Sequence, residues 1–144
     1  MKALGRHIIA ELSQCNPDAL RSLTKVKRSM VEAAKRANAE IREIKFHRFS
    51  PEGVSGVIII AESHLAIHTW PENEYAAFDI YTCGDTTNPE KAYQYLIEVF
   101  EAKKVVITTI ERGIEAPTEA YVHRFNPTET IESAPLPSAM SQAV

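Results

Sequence analysis

Residues 54–72 read Val54-Ser55-Gly56-Val57-Ile58-Ile59-Ile60-Ala61-Glu62-Ser63-His64-Leu65-Ala66-Ile67-His68-Thr69-Trp70-Pro71-Glu72, and this stretch decides the fold. An apolar run rises to Ala61, breaks at Glu62-Ser63-His64 and resumes as an alternating pattern down to Trp70. Two strands around a polar break predict a hairpin. Ordinary tight hairpins put Gly, Asn or Asp at the tip, where the backbone needs positive φ. This tip carries a carboxylate, a hydroxyl and an imidazole, and a second imidazole, His68, follows four residues after His64. Side chains alternate across a strand, so His64, Ala66, His68 and Trp70 share one face while Leu65, Ile67 and Thr69 share the other.

Outward from the hairpin, the remaining elements are legible in the same way. Upstream, Gly5 to Leu12 has the short apolar centre of a first strand. Asn16-Pro17-Asp18 is a helix start, with a capping Asn, Pro at the first helical position and an acid in the first turn. Leu20, Leu23, Lys27, Met30, Ala34 and Ala37 continue at helical spacing, predicting one helix to about Asn38. Glu40 to Phe49 reads as a strand and Ser50-Pro51-Glu52-Gly53 as a turn. Downstream, Pro71 to Glu74 is a turn. Tyr75 to Cys83 alternates, with Ala76, Phe78, Ile80 and Thr82 on one face and Ala77, Asp79, Tyr81 and Cys83 on the other. Asn88-Pro89-Glu90 opens a second helix striped by Ala92, Tyr95, Leu96, Val99 and Ala102, and Val105 to Ile110 is a last strand.

Short turns between the middle strands require antiparallel neighbours. Two helices cannot cover both faces of so wide a sheet. The expected fold is therefore α+β, a two-layer sandwich of an antiparallel sheet with two helices packed on one face. The central strands are apolar on both faces, with Val57, Ile59 and Ala61 opposing Ile58 and Ile60. A second copy of the chain is the simplest cover, so the sheet is expected to dimerise through its other face.

The 144 residues suit one domain, read here as 1–125, followed by a Pro/Ser-rich tail, 126–144, without period and expected to be disordered. The longest aliphatic run, Val57 to Ala61, is too short to span a bilayer. The N-terminus lacks the apolar stretch and cleavage site of a signal peptide, so a cytoplasmic protein is expected. Cys15 and Cys83 are then free thiols, and no Cys/His spacing calls for a structural metal. Residues 1–62 hold 11 Lys/Arg against 7 Asp/Glu, and residues 63–144 hold 5 against 12, so the halves carry +4 and −7. No basic patch interleaves with aromatics, which argues against nucleic acid as a partner.

Taken singly, each polar residue of the hairpin has an ordinary structural reading. Ser63 would be a small turn residue, His68 a half-buried hydrogen-bonded imidazole, Cys83 a small hydrophobe, and Glu62 and Glu72 solvated carboxylates. No GxSxG elbow, phosphate-binding loop or dinucleotide fingerprint is present.

Taken together, they resemble a family. Glu62-Ser63-His64-Leu65 with Ile67-His68-Thr69-Trp70-Pro71-Glu72, then Tyr81-Thr82-Cys83-Gly84, is similar to the short prokaryotic form of S-adenosylmethionine decarboxylase. Gly5-Arg6-His7, Phe46-His47-Arg48-Phe49 and Gly53-Val54-Ser55-Gly56 extend the likeness, which spans about residues 1–113. The resemblance implies a proenzyme that cuts itself between Glu62 and Ser63, into 1–62 and 63–144. The Ser63 hydroxyl would attack the Glu62 carbonyl, and the resulting ester would break by β-elimination. Hydrolysis with loss of ammonia would then leave a covalent pyruvoyl group in place of Ser63. His68 would serve as the base in this processing and Ser55 as an assisting hydroxyl. Strain at the tip would favour the cut.

The same resemblance implies that the pyruvoyl group forms a Schiff base with S-adenosylmethionine and takes the role pyridoxal phosphate plays elsewhere, with neither pyridoxal phosphate nor metal. Cys83 would return a proton after carbon dioxide leaves. Phe49 would stack on the adenine, Glu72 would accept the ribose hydroxyls, and Glu62 would become a new C-terminus beside the site. The product would be decarboxylated S-adenosylmethionine, the aminopropyl donor for spermidine. Active sites in the family lie at a dimer interface. Two rival readings stay open at this stage: a pyruvoyl-dependent arginine decarboxylase on the same scaffold, and an uncleaved, non-enzymatic binding homologue.

Overall fold

The computed structural model describes residues 2–114. The expected tail, 126–144, and the final part of the domain read as 1–125 lie outside the described residues. Among the described residues, six strands form one antiparallel sheet: β1 (Gly5–Ser13), β2 (Glu40–Arg48), β3 (Val54–Ala61), β4 (Ser63–Trp70), β5 (Tyr75–Cys83) and β6 (Lys104–Arg112). Their spatial order is β2-β3-β4-β5-β1-β6. The helices are α1 (Pro17–Arg21), α2 (Leu23–Arg36) and α3 (Pro89–Val99), and a 3-10 turn at Pro71–Asn73 joins β4 to β5. None of the described helices is long and apolar enough to cross a membrane.

Both expected helix starts are capped as their sequences imply. The Asn16 side chain accepts from the Asp18 N–H, and that of Asn88 accepts from Lys91 N–H. The single helix expected between Asn16 and Asn38 is in fact two. Ser22 adopts extended backbone (φ −83°, ψ 107°), ends α1, and caps α2 by accepting from the Lys25 N–H. A serine side chain offers the backbone an alternative to the next helical bond, and apolar periodicity does not register that competition.

The helices pack on one face of the sheet. Ile8, Ala10, Leu12, Ile58, Ile60, Leu65, Ile67, Ala76, Phe78 and Ile80 are buried there. Above them lie Leu20, Val26, Met30, Ala33, Ala34, Ala92, Leu96 and Phe100, also buried. Thr69, on the same face, ties three elements together: its Oγ1 accepts from the Val54 N–H (2.9 Å) and donates to the Leu20 carbonyl (3.0 Å). Both bonds are buried, so Thr69 fixes the β3–β4 register against α1 at the point where the chain enters Trp70-Pro71-Glu72.

Among the described residues, no helix packs on the opposite face. Its apolar side chains are open in the single chain, with Ile59 47%, Trp70 39%, Val106 39% and Ile110 41% exposed. The double-sided apolarity of the central strands is therefore real, and among the described residues only one side is covered.

Candidate active site

The uncovered face gathers the chain's chemistry. Four of the five histidines, His7, His47, His64 and His68, lie on it with Ser55, Asp79, Tyr81 and Cys83. They form two clusters at opposite ends of the strands.

The first is at the β3–β4 tip. Ser63 begins β4 opposite Thr82, the residue before Cys83, and Cys83 stands opposite Gly5. Ser63 has φ +112°, a region that a residue with a Cβ occupies at a cost of order 1–3 kcal/mol. This backbone strain falls at the residue expected to react. Ser63 and Cys83 are both partly exposed, and Glu62 is exposed. A hydroxyl on a strained, accessible turn with a thiol on the adjoining strand fits the residue types needed for self-cleavage and later proton return.

The second cluster lies toward the far ends of the same strands. Ser55 Oγ and His68 Nδ1 are 2.8 Å apart across β3 and β4. The His68 ring neighbours Trp70 (centroids 6.2 Å), and Trp70 neighbours Tyr75 (5.3 Å). Phe49, half exposed, follows β2 and packs edge-on against His47 at 4.7 Å. The turn behind it is closed by the Phe49 N–H donating to the Gly53 carbonyl (2.9 Å), with Gly53 at φ +107°. Glu72 sits exposed on the 3-10 turn.

The seven residues singled out from the sequence thus divide into Glu62, Ser63 and Cys83 at one end and Ser55, His68, Phe49 and Glu72 at the other. His68 is five steps along β4 from Ser63, which is about 16 Å at the usual rise. One chain alone does not bring the base to the bond it is expected to act on.

Apart from the His64 imidazole at the tip, the groups flanking the first cluster have no role assigned by the sequence pattern. Asp79 Oδ2 lies 3.0 Å from His7 Nε2 and 2.9 Å from His64 Nε2. The Arg112 guanidinium is 3.4 Å from His7 Nδ1 and stacks over the Tyr81 ring at 4.6 Å. The ligand atoms of His7, His64 and Asp79 lie within 4.8 Å of one another, close enough for a metal ion. Arg112 argues for hydrogen bonds instead. If His7 Nδ1 accepts from the guanidinium, Nε2 carries the proton and donates to Asp79 rather than offering a lone pair. Alternation had placed Asp79, Tyr81 and Cys83 on one face. His7 could not be added without knowing that β1 lies between β5 and β6.

The two thiols differ. Cys15 is 3% exposed, and burial, with Glu74 adding to it, pushes its pKa to about 11. Cys83 is partly exposed on the open face.

The model of the S-adenosylmethionine decarboxylase family matches residues 6–113. A protein of Moorella thermoacetica called S-adenosylmethionine decarboxylase proenzyme is 56% identical over 120 residues, covering 83% of this chain and 96% of that one. A protein of the same description from Pyrococcus abyssi is 46% identical over 123 residues, 85% of this chain and 88% of the other. The crystal structure of the adenosylmethionine decarboxylase from Aquifex aeolicus aligns with a TM-score of 0.76 at 34% identity, covering 85% of this chain and all of that one.

Proposed function

The chain belongs to the S-adenosylmethionine decarboxylase family, and from that premise we propose how its own residues carry out the reaction. It is a carboxy-lyase, made as a proenzyme, that decarboxylates S-adenosylmethionine. The observation that carries the residue-level reading is Ser63 at φ +112° on the β3–β4 tip, one register step from Cys83.

Processing uses the chain's own groups and one water. The Ser63 hydroxyl attacks the carbonyl carbon of Glu62, and the amide becomes an ester as nitrogen leaves. Loss of the Ser63 Cα proton expels the Glu62 carboxylate, and water then displaces ammonia. What remains at the head of residues 63–144 is a keto acyl group, the pyruvoyl. A hydroxyl is indispensable at this position, and release of the backbone strain favours the cut. When present, the pyruvoyl group supplies the sink for the electron pair left as carbon dioxide departs.

Around it, the chain binds, orients and moves protons. Phe49 offers an aromatic face to the adenine, and Glu72 accepts from paired ribose hydroxyls. Glu62, freed by the cut, adds a carboxylate that favours a cationic sulfonium. Cys83 gives a proton to the carbon that has lost carbon dioxide. His68, oriented by Ser55, takes a proton during processing, a task suited to an imidazole near neutral pH.

His68 and Ser63 are about 16 Å apart along β4. We propose that a second copy closes this gap. In a face-to-face dimer whose two-fold axis runs across the strands, the Ser63 end of one sheet would lie against the His68 end of the other, and sheets pack about 10 Å apart. The exposed Ile59, Trp70, Val106 and Ile110 would be buried by the same contact. Each site would then take Glu62, Ser63 and Cys83 from one protomer, and Ser55, His68, Phe49 and Glu72 from its partner.

The test is release of carbon dioxide from carboxyl-labelled S-adenosylmethionine and, in parallel, from labelled arginine. Turnover of S-adenosylmethionine with none of arginine is expected. Turnover of arginine alone would contradict the substrate assignment.

A further inference from the structure

Tyr81 is flanked by side chains from three other strands, two residues before Cys83. It lies on β5 between His64 on β4 and His7 on β1, and its ring neighbours both imidazoles, with centroids 6.3 Å and 5.4 Å away. Asp79, two residues earlier on the same face, bridges those imidazoles through one oxygen. The Arg112 guanidinium covers the ring from β6. Beneath the phenol is Gly5, the residue opposite Cys83. A Cβ there would stand 2.5 Å from Tyr81 Cε2 and 2.8 Å from its hydroxyl oxygen. Any side chain at position 5 would displace the ring, so glycine is what lets the phenol lie along the strand toward the thiol.

We propose that Tyr81 is a positioning residue for Cys83: its hydroxyl holds the thiol in place, and the His7–Asp79–His64 bridge, Arg112 and Gly5 hold the phenol. This rests on the reading of Cys83 as the proton donor. When the thiol donates, its S–H bond breaks, a C–H bond forms on the substrate carbon, and the charge stays on sulfur. A phenol O–H aimed at that sulfur steadies the thiol before transfer and the anion after it, because hydrogen bonds to charged acceptors are the stronger kind. The Tyr81 pKa also lies above its ordinary value, with the neighbouring Cys83 the largest cause, burial adding to it and Arg112 opposing it. The ionisable groups facing Tyr81 are His7 from β1, His64 from β4, Asp79 and Cys83 from β5, and Arg112 from β6.

Two measurements test the proposal. The first is Tyr81→Phe, which keeps the ring in its cage and removes one oxygen. The chain should still cut itself. Its kcat should fall about tenfold with KM unchanged, the scale of one hydrogen bond to a charged group. The second needs no cleavage: titration of the Tyr81 ring by 13C NMR in Ser63→Ala, with and without Cys83→Ala. Removing the sulfur should lower the Tyr81 midpoint toward that of a free tyrosine. An unchanged midpoint, or a Tyr81→Phe enzyme with unchanged kcat, would overturn the proposal. Cys83→Ser separates this from the underlying reading: full turnover there would remove Cys83 itself as the donor, whereas loss of turnover leaves Tyr81 alone in question.

Discussion

Replacing Ser63 with Ala is expected to leave a single uncut polypeptide of 144 residues with no measurable decarboxylase activity. The substitution deletes one oxygen. Without it nothing can attack the Glu62 carbonyl, no ester forms, and no carboxylate is expelled from the serine carbon. The loss should be of the size seen when a nucleophile is removed, on the order of 10⁶-fold, which in practice is the floor of the assay. The fold should survive, because Ser63 sits at a hairpin tip and is only partly buried, while the core below it is made by Leu65, Ile67 and Phe78. Denaturing electrophoresis reads the first outcome and carbon dioxide release the second. Cleavage of the Ala variant at the same bond would mean that the chain is cut by something other than its own hydroxyl.

The next largest effect concerns two inactive variants made together. Ser63→Ala lacks the proposed nucleophile, and His68→Ala lacks the proposed processing base, a role that general-base catalysis makes worth about 10²–10⁴-fold. Each homodimer should be nearly silent. Co-expressed, they should recover about one quarter of wild-type activity. About half of randomly paired dimers are mixed, and each mixed dimer rebuilds one of its two sites. The rebuilt site takes Ser63 and Cys83 from the His68→Ala protomer, and His68 and Ser55 from the Ser63→Ala protomer. The expectation comes directly from the separation along β4. If the site were formed within one chain, mixing would restore nothing, because no chain would hold both residues. Purified, tagged heterodimers scored for cleavage and for turnover distinguish the two outcomes.

Local patterning made the strands legible. The alternation from Tyr75 to Cys83 put Ala76, Phe78, Ile80 and Thr82 inside, and all four are buried. The Asn-Pro signatures gave the two helix starts because capping is a local hydrogen-bond requirement that the residue type meets directly. Ser22 escaped because its break is a competition between a side chain and the next helical turn, with no mark in the apolar spacing. Strand order was harder, since β1 pairs with β5 and β6, elements about 70 and 100 residues away in sequence. That order brings His7 and Arg112 to Tyr81, so the Tyr81 cage was invisible from the residues. The candidate site residues were legible as a set through the motif, but not their division between two ends of a sheet. The motif is continuous in sequence, whereas a strand carries its residues apart at about 3.3 Å each. Ser63 and His68 look adjacent when written and are not adjacent when folded.

The central claim is that Ser63 breaks its own link to Glu62 and becomes a ketone. Intact-mass spectrometry of freshly purified protein tests it most directly. The account predicts two fragments, residues 1–62 and 63–144, the second lighter by one ammonia than simple hydrolysis of the peptide bond would leave it. A single mass equal to the whole chain, or a second fragment beginning with an unaltered serine, would contradict it.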